Sequence, residues 1–481
     1  MRYNRFFRDN NWLTPTTYTQ ELSEYAVNLK YEDIPAEVIE RAKMILLQTI
    51  GVSLAAKDTD IAGKVRKMAV EANGGVGGPT TLWGTGEKLA AVNSALALGA
   101  LSDALDWEDC SWTGHPSAGI IPCAWLAAEE KHKSGKEMLS AIVAGYEVYQ
   151  RIAMAVQPTM EIWKTKGWGL TSWQIFGCIL PVAKLYGFDA RKINQAIGVG
   201  CESSTVPTAY HATTMSDFYH YEHGYRARDG VLISKCVEKG IHNQRDLLDY
   251  APCYAAPICC TLDGEDKSDP SWYTRDLGKR YLIMDTLMKH WPANMWVQTT
   301  AEIISNLSQQ EGFGAEDVEE IIVDPPVSGR MWAPDDGFTS VTHAQFSIPF
   351  VVASMLYTPH PSAGWYTPEK MKDPKIIALA KRIKSGPSTP DSPMDGFMQF
   401  REGRYPMKNV TVTLKNGKKY TASMDCHPGH PDNMMSREEF VQRFRIQAEP
   451  VLQGERLEKA IEMLCNVENV DDIAAVCSLL Y

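Results

Sequence analysis

Residues 86–105, GEKLAAVNSALALGALSDAL, limit the possible folds more than any other stretch of this chain. The segment is small or apolar on nearly every side. A helix without a polar face has nothing to show to water, so other elements must enclose it. Its Ala and Gly residues allow those neighbours to come close. The surrounding sequence supplies them. Residues from about Thr17 to Ala56 read as two helices parted at Ile34-Pro35, the second with Val38, Ala42, Ile45, Leu46 and Ile50 at helical spacing. AAEEKHKSGKEMLSAIVAGYEVYQRIAMAV gives two more, broken at Ser134-Gly135. TSWQIFGCILPVAKLYG and DARKINQAIGVGCESS continue the pattern, the latter with Asp189 as its N-cap. Gly84 and Gly86 read as the turn into the enclosed helix rather than as a phosphate-binding loop.

The character changes in the polar, Pro-containing stretch Asp263 to Gly278. Beyond it, VEEIIVDPPV predicts a strand ended by Pro325-Pro326. VTVTLKNGKKYTASMD alternates with period two around Asn416-Gly417, which predicts a hairpin. The C-terminal segments return to helix, with Ser436 and Glu439 placed for a capping box. At 481 residues the chain is too long for one core. The expected architecture is mainly α: a large helical domain of residues 1–272 and 427–481, with a smaller α+β domain, 273–426, inserted before the C-terminal helices.

The net charge of -11 disfavours nucleic acid and anionic membranes as partners, since both need clustered Lys and Arg. It leaves room for an acidic small molecule, because a pocket's field is local. The N-terminal residues lack the apolar core of a signal peptide, and no stretch approaches the roughly 18 apolar residues of a membrane helix. The eleven cysteines are scattered without CxxC pairs. They predict reduced thiols and a cytoplasmic location.

The stretch LDWEDCSWTGHPSAG, from Leu105, crowds Asp106, Glu108, Asp109 and His115 into one turn-rich segment. One reading is a solvated loop at a helix end. The other is a catalytic loop in which a carboxylate tunes an imidazole for proton transfer. Neither a serine-hydrolase elbow nor a P-loop is present in the sequence.

Here the sequence resembles a known family. ALDWEDCSWTGHPSAGIIPCAWLAAEE, followed by SGKEMLSAIVAGYEVYQRIA, is similar to the signature of the 2-methylcitrate dehydratase / cis-aconitate decarboxylase family (MmgE/PrpD). RAKMILLQTIGVSLAA, AKLYGFDARKINQAIGVGCESS, GYRARDGVLISKCVEKGI, KHWPANMWVQTTAEII and HAQFSIPFVVASML extend the likeness in the same order. The resemblance implies a helical main domain with a smaller lid domain, a homodimer, and no cofactor. It implies a small carboxylate substrate that loses water, loses CO2, or inverts a centre beside a carboxylate. It places His115 as the acid/base group, Asp106 as its partner, Cys110 near substrate, and Lys289 as an ammonium that holds a substrate carboxylate.

Three departures stand out. Gly169, beside Trp168, occupies the place of the family's second histidine. Tyr219 stands for the second lysine, with Glu222 where a histidine follows. Trp332 replaces the lid tyrosine. Losing an ammonium and an imidazole argues against a tricarboxylate, and the abundant rings nearby suit a flatter or less charged substrate. His220 and His223 are candidates to replace the missing proton-transfer group. Their spacing falls short of a metal motif, and no metal is expected. The expectation is a cofactor-independent lyase or isomerase, with dehydration or hydration as the leading reaction. Epimerisation and decarboxylation are alternatives within the family, and a non-catalytic ligand-binding homologue is an alternative outside catalysis.

Overall fold

The structure is a computed structural model that describes residues 17–111, 114–157, 162, 172–204, 216–391 and 406–481. The longer helices α1 (Tyr18–Asn28), α2 (Ala36–Ala55) and α3 (Asp60–Ala72) open the fold. Thr17 and Thr59 cap α1 and α3 by accepting from Gln20 N and Ala62 N. Next comes a short hairpin, β1 (Thr80–Thr81) against β2 (Lys88–Leu89). Gly84 and Gly86 lie in its connection with φ of 80 and 74 degrees. The two glycines therefore close a hairpin, and the helix begins only afterwards.

That helix, α4 (Ala91–Asp103), is buried from Ser94 to Asp103. On it pack α2, α3, α5 (Ser117–Glu130) and α9 (Phe218–Glu238), and α6 (Gly135–Val156), α7 (Gln174–Leu185) and α8 (Ala190–Ser203) extend the helical body beyond them. Glycine sets the closest approach, between α4 and α9. A Cβ on Gly224 would lie 2.3 Å from Leu96 O, and one on Gly99 would lie 2.9 Å from the Gly224 Cα. The backbones touch because neither residue carries a side chain. Ser134 forms a capping box with Glu137 at the start of α6, and Asp189 caps α8 through Lys192 N.

Between α4 and α5 the chain makes β3 (Asp109–Cys110). It pairs antiparallel with the distant β4 (Leu287–Met288), Asp109 opposite Met288 and Cys110 opposite Leu287. This short pairing delivers the next residue, Lys289, to the loop that follows α4.

A second hydrophobic cluster, in which Ile321, Val323, Val410 and Val412 meet Ile303, Ile304 and Phe350, also takes in Val52, Leu105 and Trp107 of the helical body. Its sheet runs β6–β5–β7–β8. β5 (Val318–Asp324) is parallel to β6 (Ile383–Ser385) and antiparallel to β7 (Lys408–Leu414), which turns at Asn416-Gly417 into β8 (Lys419–Met424). Gly417 takes φ 86 degrees, as such a turn requires. Val410, Val412 and Leu414 all face inward, as the alternation predicts. Helices α10 (Met295–Glu311) and α11 (Ile348–Tyr357) contribute to this cluster. The C-terminal α12 (Arg437–Ala448) and α13 (Gly454–Cys465) return to the helical body, with Gly51 of α2 against Phe444 and Gln447. Ser436 and Glu439 form the capping box of α12. The fold is mainly helical with small sheets. Among the described residues no helix is long and apolar enough to cross a membrane, and all eleven cysteines are free thiols.

Candidate active site

The site begins where α4 ends. Asp106 N donates to Asp103 O at 2.8 Å, and Asp106 adopts φ 49 degrees. Aspartate tolerates this left-handed conformation better than most residues. The tight turn keeps Asp103, Asp106 and Glu108 together, all fully buried. Asp109 has a different task. Its Oδ1 accepts from Ser117 N at 3.0 Å, the first residue of α5, and its Oδ2 accepts from Tyr146 OH at 2.6 Å. Burial pushes its pKa up to about 6, against the pull of these bonds.

His115 lies at the centre. Its Nδ1 is 2.5 Å from Glu108 Oε1, 3.2 Å from Asp103 Oδ1 and 4.0 Å from Asp106 Oδ1. Its Nε2 is 2.7 Å from the Tyr219 hydroxyl, with the two rings edge to face. Gln174 of α7 steadies the backbone: its Nε2 donates to His115 O at 2.8 Å while its Oε1 faces His223 Nδ1 at 2.7 Å. The nearest carboxylate to His115 is therefore Glu108, and Asp106, the partner expected from sequence, stands farther off.

Asp106 instead meets Lys289. The Lys289 ammonium is fully buried and donates to both Asp106 and Glu108. Arg443 of α12 donates to Lys289 O, and Lys289 N donates to Glu108 O at 3.1 Å. In this arrangement two protein carboxylates already engage the ammonium that was expected to hold substrate.

The charges support one another. Burial and Lys289 both work against a protonated His115, yet its hydrogen bonds to Asp103 and Glu108 raise its pKa to about 10. Burial opposes ionisation of Glu108, but Lys289 and His115 hold it down at about 2. Burial alone would lower Lys289; Asp106 and Glu108 outweigh it and hold the ammonium charged. The two carboxylates thus favour the imidazolium form of His115 over the opposing Lys289 ammonium 3.2 Å from its Nδ1, and Nε2 faces the Tyr219 hydroxyl.

His220 and His223 lie on the same face of α9 and are fully buried. His220 Nδ1 is 2.7 Å from Asp103 Oδ2, and His223 Nε2 is 3.3 Å from Asp103 Oδ1. Asp103 therefore joins all three histidines. Sequence reasoning passed over it. Its signal was an acid on a helix otherwise apolar all round, a position that demands a buried partner. Glu108 stood out in sequence only as one acid in a crowd. Cys110 packs its thiol 3.2 Å from Met295 Sδ, and burial pushes its pKa well up. Trp332 lies against His343, ring centroids 5.1 Å apart, and its carbonyl accepts from Ser347 Oγ at 2.6 Å. Trp168 and Gly169 lie outside the described residues. Donor atoms of Asp103, Asp106, Glu108 and His115 fall within 4.8 Å of one another, close enough to share a cation. The Lys289 ammonium stands in contact with this set.

Comparison with known proteins identifies the family. The MmgE/PrpD N-terminal domain family matches residues 20–257, and the MmgE/PrpD C-terminal domain family matches residues 291–469. The chain is 22% identical over 476 residues to a cis-aconitate decarboxylase of Mus musculus, covering 96% of this chain and 93% of that protein. It is 20% identical to the cis-aconitate decarboxylase of Homo sapiens, over 96% and 94% of the two chains. It is 21% identical to that of Aspergillus terreus, over 96% and 95%. The two matched domains span nearly the whole chain in order and flank Lys289 from either side; the chain belongs to the MmgE/PrpD family.

Proposed function

We propose that this protein is a lyase acting on a small unsaturated carboxylic acid, and that it removes CO2 after protonating the substrate. One observation carries the reading: His115 Nδ1 lies 2.5 Å from Glu108 Oε1, a carboxylate that favours the protonated ring, while its Nε2 lies 2.7 Å from the Tyr219 hydroxyl. A group charged at neutral pH starts a reaction by giving a proton. In a β,γ-unsaturated acid the proton goes to the γ carbon. The bond from the α carbon to the carboxylate then breaks, and its electron pair becomes the relocated double bond. His115 Nε2 supplies the proton through the Tyr219 hydroxyl, which passes its own proton on and is refilled. Asp103 and Glu108 steady the imidazolium until then. The names of the relatives, all decarboxylases, favour the same outcome.

Dehydration, the leading expectation from sequence, would use the same donor on a leaving hydroxyl and needs a base as well. Carbon-13 NMR in deuterated water separates the outcomes across a panel of five- and six-carbon unsaturated and hydroxylated acids, cis-aconitate included. Decarboxylation gives bicarbonate and an alkene one carbon shorter, with deuterium at the former γ carbon. An alkene formed with every carboxyl retained would mean dehydration. Exchange without net change would mean epimerisation, and stabilising binding with no turnover would mean a ligand-binding homologue. Each of these three results would overturn the proposal. His115→Gln is expected to lower kcat by about 10²–10⁴-fold.

A further inference from the structure

Arg330 follows β5 and has no role in the proton-transfer network. Its backbone is fixed, with N donating to Val327 O at 3.1 Å and O accepting from Ile348 N at 2.9 Å. Its side chain lies over the Phe346 ring, with Cζ 4.7 Å from the centroid. Phe346 in turn meets Tyr219 edge-on at 5.3 Å. One aromatic ring therefore separates this guanidinium from the residue bonded to His115. Its Nη1 donates to Gly329 O at 2.8 Å, and its Nε is buried without an acceptor among the described residues. No described carboxylate pairs with it. Burial pushes its pKa down to about 10, with Tyr219 and Asp106 pulling the other way, so it remains charged at neutral pH.

The neighbouring acids are all committed. Glu108 pairs with His115, Asp106 with Lys289, and Asp103 with His220. Each of these acids already faces a cation or an imidazole, and no described carboxylate faces Arg330. The Arg330 side chain is half-buried, its Nε out of reach of water, and a carboxylate is the ligand its planar fork fits best. The chain's net charge of -11 repels an anionic substrate at long range, so a local cation has to capture it.

The geometry points to Arg330 as the anchor for a second carboxylate of the substrate, one that stays on the product, so that the enzyme takes a dicarboxylic acid held at one end while the other end reacts. This assignment rests on the lyase reading above and narrows its substrate class. Lys289, engaged by two acids, serves the proton donor, and Arg330 serves the substrate.

Calorimetric binding to the full chain tests this without turnover, using glutarate and pentanoate, which share a five-carbon chain and differ by one carboxylate. The wild type is expected to bind glutarate at least about 10-fold more tightly, as a charge-assisted pair would give. Arg330→Gln is expected to lose that preference by weakening glutarate alone, and Arg330→Lys to keep part of it. His115→Gln is expected to keep the full preference while losing turnover, which separates failure of the anchor from failure of the reaction. A wild type that binds the two acids equally would overturn the proposal. So would Arg330→Gln retaining the whole preference. If that variant does not fold, Arg330→Lys with an undiminished preference overturns the bidentate anchor.

Discussion

At Glu108, exchange for glutamine keeps the shape of the side chain and removes the charge that holds His115 protonated. In the proposed reaction the imidazolium is the active form, so activity is expected to fall as pH rises through its folded pKa of about 10. Without the carboxylate that pKa drops, and the alkaline limb of the kcat/KM profile is expected to move down by about 1–3 pH units in Glu108→Gln. Stability changes at both ends of the scale. His115 is raised, so its contribution is full below its ordinary 6.5 and is lost as pH rises towards 10. Glu108 is depressed, so its contribution is full above 4.5 and is lost as pH falls towards 2. Urea midpoints of the variant should therefore depend less on pH in both windows than those of the wild type. His115 stood out in the sequence because its loop joins acids, Pro and Gly in one short motif and that motif resembles a family signature; the residues alone left a solvated loop open. Which acid touches it was not legible. Asp106, Glu108 and Asp103 lie within a few residues of one another, and a left-handed turn at Asp106 decides which carboxylate meets the ring and which meets Lys289.

The α4–α9 crossing brings Asp103 to His220 and His223. Gly224→Ala would put a methyl 2.3 Å from Leu96 O, a backbone atom that has no rotamer to change. The two helices would have to part, at a cost of roughly 1–3 kcal/mol. Thermal unfolding is expected at a lower temperature, and turnover should fall along with it because the histidines leave Asp103. Unchanged values of both would show that the crossing does not depend on glycine. Elements of this kind were readable from their composition: the all-round apolar pattern of α4 requires enclosure, and the Asn416-Gly417 turn sets the β7–β8 hairpin. The pairing of β3 with β4 was not readable. It spans two residues on each side, far too short for any periodic signal, yet it positions Lys289.

Across the whole molecule, the site draws on parts of the chain distant in sequence. The α4–α5 loop brings the acids and His115, α9 brings Tyr219 and His220, β4 leads to Lys289, and Arg443 of the C-terminal α12 clamps Lys289 from behind. The change from helical to alternating pattern after residue 278 anticipated the strands of the β6–β5–β7–β8 sheet. The charge network went unforeseen because its members come together only in three dimensions. Everything proposed for the reaction depends on the state of one ring. Nitrogen-15 NMR of the histidine-labelled full chain, with His115 assigned by comparison with His115→Gln, reads that state directly between about pH 6 and 9. Both ring nitrogens of His115 are expected to stay protonated throughout; a ring that is neutral at pH 7 and titrates near 6.5 would contradict the account.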